Sequence, residues 1–182
     1  MINVRPDFQV HKGTKADLPI GYQQIKFHMI FYVKMGENFR QKTRLVGGGH
    51  MNEAPSAITH SSVLSRDSIR IALTLVAFSV LDILAYDIHN TYLTSKCREK
   101  IWTIAGPEFV RMIIKIALYG LKSLGAAFRD NLDGVLHDLL YVPSKADPDV
   151  WIRPAVRPDG SEYYDMALCY VDDVLVIAEE TI

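Results

Sequence analysis

Two adjacent aspartates, Asp172 and Asp173, join two apolar runs, Met166-Ala167-Leu168-Cys169-Tyr170 and Val174-Leu175-Val176-Ile177-Ala178, and no other feature limits the fold so tightly. Runs this apolar read as strands covered on both faces, since an exposed hairpin would alternate with polar residues. Tight hairpin turns usually take Asn-Gly or Asp-Gly because positive φ is needed there, yet these strands are joined without a glycine. Two carboxylates held this close repel each other unless a divalent cation neutralises them. A cation site at the head of a buried hairpin is therefore the economical reading.

The rest of the chain can supply a core around that hairpin. Its 182 residues are 49% hydrophobic, which excludes a disordered tail and suits one globular domain, or two small ones sharing a core. The net charge of -1 removes the simplest compositional argument for a nucleic-acid binder, but it hides a gradient. Residues 1–50 carry +5 and residues 151–182 carry -5. A basic first quarter attracts polyanions, and an acidic end tolerates them only if it binds cations. Metal-dependent phosphate chemistry is thus worth testing against the motifs.

Cys97 and Cys169 show no metal-ligand or disulfide spacing, so neither a zinc site nor a disulfide framework is expected. The N-terminus lacks the apolar run of a secretory signal. The most apolar stretch, residues 71–86, is broken by Asp82 and falls short of the ~20 residues that a spanning helix needs. No membrane partner is expected.

Read along the chain, a strand over residues 29–34, a turn at Gly36-Glu37-Asn38 and a strand over residues 39–46 form a hairpin. Arg40, Lys42 and Arg44 alternate along its second strand and so share one face. Taken alone, that stripe is most simply a solvated face; the sharper reading is a phosphate-contacting one. Ser65 caps a helix carrying Ile69, Ala72, Leu73 and Val76. A strand over residues 81–88 then puts Leu81, Ile83, Ala85 and Asp87 on one face. A lone aspartate closing an apolar face most simply marks the strand leaving the core. Ser123 caps a second helix with Leu124, Phe128, Leu132, Leu136 and Leu139 in one core stripe. Strands at residues 150–153 and 163–170 lead into the acidic turn.

Tyr170-Val171-Asp172-Asp173 between apolar strands resembles the catalytic hairpin of reverse transcriptases. Asp87-Ile88-His89-Asn90-Thr91-Tyr92-Leu93 is similar to the segment carrying their first catalytic aspartate. Leu118-Tyr119-Gly120-Leu121-Lys122 resembles a hallmark of copia-type LTR retrotransposon polymerases, and Lys34 with Lys42-Thr43-Arg44-Leu45-Val46 resembles that family's fingers hairpin. These blocks occur in the family's order across roughly residues 18–180. His89-Asn90 and Ser123-Leu124-Gly125-Ala126 depart from the usual pattern.

The resemblance implies an α+β fold: a palm built as a βαββαβ ferredoxin-like sheet with helices on one face, plus a fingers subdomain. Fingers would span residues 18–80, with the basic hairpin at 29–46 and a helix at 66–79. The palm would span 81–99 and 119–182, with a crossover at 100–118. Asp87, Asp172 and Asp173 would be catalytic, holding two Mg²⁺ ions, with Mn²⁺ as a substitute. Lys34, Lys42 and Arg44 would hold the triphosphate above the Asn90-Thr91 backbone. Tyr92 would be a steric gate against a ribose 2′-hydroxyl, and Gly120 would allow close approach of nucleotide and template.

Implied partners are an RNA or DNA template-primer, deoxynucleoside triphosphates and the other Pol polyprotein segments, among them integrase and RNase H. The implied setting is a cytoplasmic virus-like particle with access to the nucleus, not a secreted protein. The thumb, which would follow residue 182, is expected to be absent, so these residues alone should extend a primer poorly. Two further readings stand beside this one: a catalytically silent nucleic-acid-binding remnant of a decayed element, and an unrelated two-metal nuclease or nucleotidyltransferase.

Overall fold

The computed structural model describes residues 8–36, 38–53, 59–89, 91–105 and 110–179. In chain order its elements are β1 (Phe8–His11), β2 (Gln23–Gln24), β3 (Phe27–Lys34), β4 (Arg40–Gly47), α1 (Arg66–Ser79), β5 (Asp82–Asp87), β6 (Ile101–Ala105), β7 (Val110–Ile114), α2 (Leu124–Asp138), β8 (Val142–Pro143), β9 (Val150–Val156), β10 (Glu162–Tyr170) and β11 (Asp173–Ala178). The chain is a mixed α and β protein in which strands predominate. Among the described residues no helix is long and apolar enough to cross a membrane.

The elements group into two compact units. Unit 1 comprises Met1–His60 and Tyr92–Phe128, and unit 2 comprises Ser61–Thr91 and Arg129–Ile182. Helix α1 groups with the acidic hairpin rather than with β3 and β4, because Ala72 is buried in one cluster with Leu64, Met166, Leu168 and Ile177. In unit 1, β6 and β7 pair with each other.

In unit 1, a sheet of order β1-β7-β6-β2 accompanies the separate β3-β4 hairpin. Ile25, Ile101, Ile114, Leu118, Leu121 and Leu124 form its core, each such burial contributing roughly 1.5–3 kcal/mol. Ser123 stands at the head of α2, with its carbonyl accepting from Ala127 N at 2.9 Å. The hydroxyl and the Ser123 N–H both donate to the buried Glu99 carboxylate, at 2.9 and 2.8 Å. That carboxylate also meets the positive end of the helix.

Unit 2 is one antiparallel sheet of order β5-β11-β10-β9-β8. Val150, Ile152, Met166, Leu168, Leu175 and Ile177 face α1. Strand alternation turns Trp151, Ala167, Cys169 and Val174 to the opposite face, where the α2 residue His137 meets Trp151 edge-on with ring centroids 5.0 Å apart. Helices therefore cover both faces of the sheet rather than one. The cause lies in the strands: β10 is buried from Asp165 to Cys169 on both of its sides, so each face needs a helix. The unit's elements run α1, β5, the part of α2 from Arg129 onward, β8, β9, β10 and β11.

Strand β5 lies at the sheet edge, pairing with β11, and all six of its residues are exposed. The expected core face of Ile83 and Ala85 is thus not buried. Helix α1 is capped as expected, with Ser65 Oγ accepting from Ser68 N at 3.0 Å.

A second acceptor at the same helix end was not legible in the sequence. Asp147 accepts from Ser65 N at 3.0 Å and from the Ser68 hydroxyl at 2.6 Å. Burial pushes the Asp147 carboxyl up, but the Ser68 and Ser65 hydrogen bonds and nearby Arg129 outweigh it and hold the group below the ordinary aspartate range. A carboxyl depressed on folding stabilises the native state above its unfolded pKa, and that stability is lost as pH falls through the lower folded value. Wild type should therefore lose stability on acidification below about pH 4, whereas Asp147→Asn should show a shallower acid slope. Urea unfolding at several pH values checks this, and equal slopes would remove Asp147 from the acid response.

Candidate active site

The β10-β11 hairpin closes at the Cα pair Tyr170 and Asp173, leaving Val171 and Asp172 as a two-residue connection. Val171 takes φ 55. This is the left-handed region, where a β-branched side chain costs roughly 1–2 kcal/mol. The missing glycine noted in the sequence is thus met by strain at the acidic turn. The turn is tied to β5 by Ile88 N, which donates to the Asp172 carbonyl at 2.8 Å.

The β11-β5 register sets Asp173 directly opposite Asp87. Residues so paired share one face of a sheet, with Cβ atoms about 4.5–5.5 Å apart. All three aspartates are exposed. Beside them opens a cavity of about 410 Å³, with Leu64, Ile69, Ala85 and Leu168 in its apolar wall and Asp87, Tyr170 and Asp173 at its polar part. An apolar wall lowers the local dielectric, so a cation would be held there more strongly than by the same carboxylates in open water.

Among the described residues no group of three or more His, Cys, Asp or Glu side chains is placed to hold a metal ion. The expected trio is therefore not a closed cage; Asp87 and Asp173 form the register pair, with Asp172 in the adjoining turn. Neighbouring hard oxygen donors still fit Mg²⁺, which takes one or two carboxylates and completes its shell with water and phosphate oxygens.

Of the expected nucleotide contacts, Asn90 lies outside the described residues. Thr91 is buried, and its hydroxyl donates to the Ile88 carbonyl, bracing the loop that leaves β5. Tyr92 follows in a short 3-10 turn over Thr91–Thr94.

The remaining expected contacts belong to unit 1. Cα partners across β3 and β4 are Lys34 with Arg40, Tyr32 with Lys42 and Ile30 with Arg44. Partners share a face, so the register adds Lys34 to the stripe of Arg40, Lys42 and Arg44. Arg44 is partly occupied: its guanidinium carbon lies 5.3 Å from the Tyr32 ring centre and 4.9 Å from that of Tyr119. These tyrosines escaped sequence reasoning, although the alternation of Ile30, Tyr32 and Lys34 marked one of them.

Gly120 has φ 90, and a Cβ built on it would stand 2.1 Å from the Gly47 carbonyl oxygen. Gly49 is equally constrained, since its Cβ would stand 2.3 Å from the Gly120 carbonyl oxygen. Gly47 N donates to the Tyr119 carbonyl at 2.7 Å. The glycines therefore let two backbones cross at the base of the hairpin, which is a packing reason for Gly120.

Residues 12–182 match the reverse transcriptase (RNA-dependent DNA polymerase) family. The chain is also 24% identical over 177 residues to the retrovirus-related Pol polyprotein from transposon TNT 1-94 of Nicotiana tabacum, with 91% of this chain and 13% of that protein covered. The chain thus spans a small part of the relative's length. With the family matched over nearly all its residues, and the acidic hairpin docked beside Asp87, the chain belongs to the reverse transcriptase (RNA-dependent DNA polymerase) family.

Proposed function

We propose that the chain carries the palm and fingers parts of an RNA-directed DNA polymerase from a copia-type retrotransposon polyprotein. The observation that supports this most is the register of Asp173 opposite Asp87 beside the Tyr170-Asp173 turn. Asp87, Asp172 and Asp173 would hold Mg²⁺ or Mn²⁺. When bound, the ions supply activation of the primer 3′-hydroxyl and neutralisation of the triphosphate.

The chain's own residues do the positioning. Asp87 and Asp173 offer fixed anionic oxygens from paired backbones, while the Val171 strain is borne by a turn tied to Ile88. Lys34 and Lys42 would contribute positive charge to phosphate oxygens, and Arg44, beside the Tyr32 and Tyr119 rings, would contribute its planar guanidinium. The Asn90-Thr91 backbone supports the triphosphate, and Tyr92 excludes the 2′-hydroxyl. The reaction takes deoxynucleoside triphosphates on a primer-template, within a particle in the cytoplasm and alongside the other Pol segments.

Primer extension on an RNA template with Mg²⁺, comparing the chain with Asp172→Asn, tests the reading, with Mn²⁺ uptake followed in parallel. Metal uptake and extension that both ignore the substitution would end it. The basic face has its own test. Replacing Lys34, Arg40 and Lys42 with glutamine should weaken primer-template binding and lower the salt slope by as much as about 3, near one unit for each phosphate no longer neutralised. An unchanged slope in filter-binding titrations would return these residues to a solvated face.

A further inference from the structure

A buried ion pair beside β9 has no part in the chemistry above. Asp149 is 1% exposed, and its Oδ1 meets the guanidinium of Arg129 on α2. Arg129 spends its other donors on Asp133 Oδ1 at 2.5 Å, the Pro148 carbonyl at 2.5 Å and the Ser62 hydroxyl at 3.3 Å. Asp149 N donates to Asp147 Oδ1 at 3.0 Å, and the Asp149 carbonyl accepts from Cys169 N at 2.9 Å. That last bond lies one residue beyond the final β9-β10 pair, Val150 with Leu168. Cys169 is in turn the partner of Val174, next to Asp173.

Desolvating two ions costs several kcal/mol each, so an apolar pair of equal size would stabilise the fold as well or better. What an arginine fork provides is direction, because its planar donors admit few arrangements. Here they fix the Pro148-Asp149 backbone, which holds β10 three residues before Asp172. The turn is thus held by Ile88 N, and the end of β10 that leads into it by the Asp149 carbonyl.

We infer that Arg129 and Asp149 are positioning residues that set where Asp172 and Asp173 stand relative to Asp87. The inference rests on the polymerase reading for its purpose, since phosphoryl transfer loses rate steeply with small misplacements.

The test uses the full chain with Arg129→Met and Asp149→Leu together, an apolar exchange of the kind that is often neutral or stabilising. The melting temperature should stay within about 3 °C of wild type. Mn²⁺ affinity, from the electron paramagnetic resonance of free Mn²⁺, should fall by about tenfold or more, as when groups behind metal ligands are removed. Hydrogen exchange at Cys169 N should quicken while the α1 amides keep their protection. Arg129→Lys, which keeps the charge and loses the fork, should give an intermediate loss.

A folded double variant that binds Mn²⁺ within about twofold of wild type and protects Cys169 N equally would overturn the inference. If the double variant does not fold, Arg129→Lys is judged by the same two measurements. If wild type takes up no Mn²⁺, the polymerase reading fails separately, and exchange at Cys169 still decides whether the pair positions the turn.

Discussion

Asp87→Asn is expected to lower primer extension by at least about a thousandfold while leaving the fold intact, because a lost carboxylate removes several kcal/mol of charge stabilisation and ~4 kcal/mol is ~10³ in rate. The fold should survive because Asp87 is exposed at the end of an edge strand and joins its neighbour through backbone pairing. Asparagine keeps that pairing and nearly the same shape, and it removes a repulsion from Asp173 across the ladder. Stability should change by no more than about 0.5 kcal/mol. Extension assays with thermal melts by circular dichroism make the comparison, and where extension is too slow to follow, Mn²⁺ uptake makes it instead. A variant that matched wild type in both would show that Asp87 takes no part.

Gly120→Ala is expected to destabilise unit 1 by about 3 kcal/mol or more, the combined effect of a strained φ and overpacking. The added Cβ would meet the Gly47 carbonyl oxygen at 2.1 Å and Val46 Cγ1 at 2.8 Å, and the first of these is backbone that cannot swing away. Relief requires breaking the hydrogen bond from Gly47 N to the Tyr119 carbonyl and parting the Val46-Tyr119 bridge. The base of the basic hairpin and the Tyr119-Arg44 stack would be disturbed together.

Gly134 in α2 is the control. Nothing lies within 4 Å of its Cβ position, so Gly134→Ala should stabilise by up to about 1 kcal/mol. The two tryptophans allow separate readings, since Trp102 lies in unit 1 and Trp151 in unit 2. Urea unfolding followed by fluorescence in Trp151→Phe and Trp102→Phe backgrounds should show the Gly120 effect first at Trp102. No loss at Trp102 would contradict the crossing at the hairpin base.

Features set within a short window of residues were legible without the fold. The apolar runs on either side of Asp172-Asp173 became β10 and β11, and Leu124, Phe128, Leu132 and Leu136 became the buried side of α2, whereas Leu139, the last of the expected stripe, lies beyond the helix end and is exposed. Ser65 capped α1, and the alternation of Arg40, Lys42 and Arg44 gave one cationic face. Periodicity and capping are local properties, carried by neighbours three or four residues apart or by every second residue.

What depended on strands meeting across long stretches of chain was decided by the tertiary structure alone. The sequence by itself determined that an acidic turn would head an apolar hairpin and that Asp87 would end a strand. It did not determine that Asp173 would be the partner opposite Asp87, because register is settled by which side chains can be buried together. Nor did it show β5 as an exposed edge, helices on both faces of the sheet, Arg44 between Tyr32 and Tyr119, or Arg129 paired with Asp149. A side chain's burial and its partners belong to the packed whole, where a carboxylate can be enclosed only once a distant cation has been brought to it.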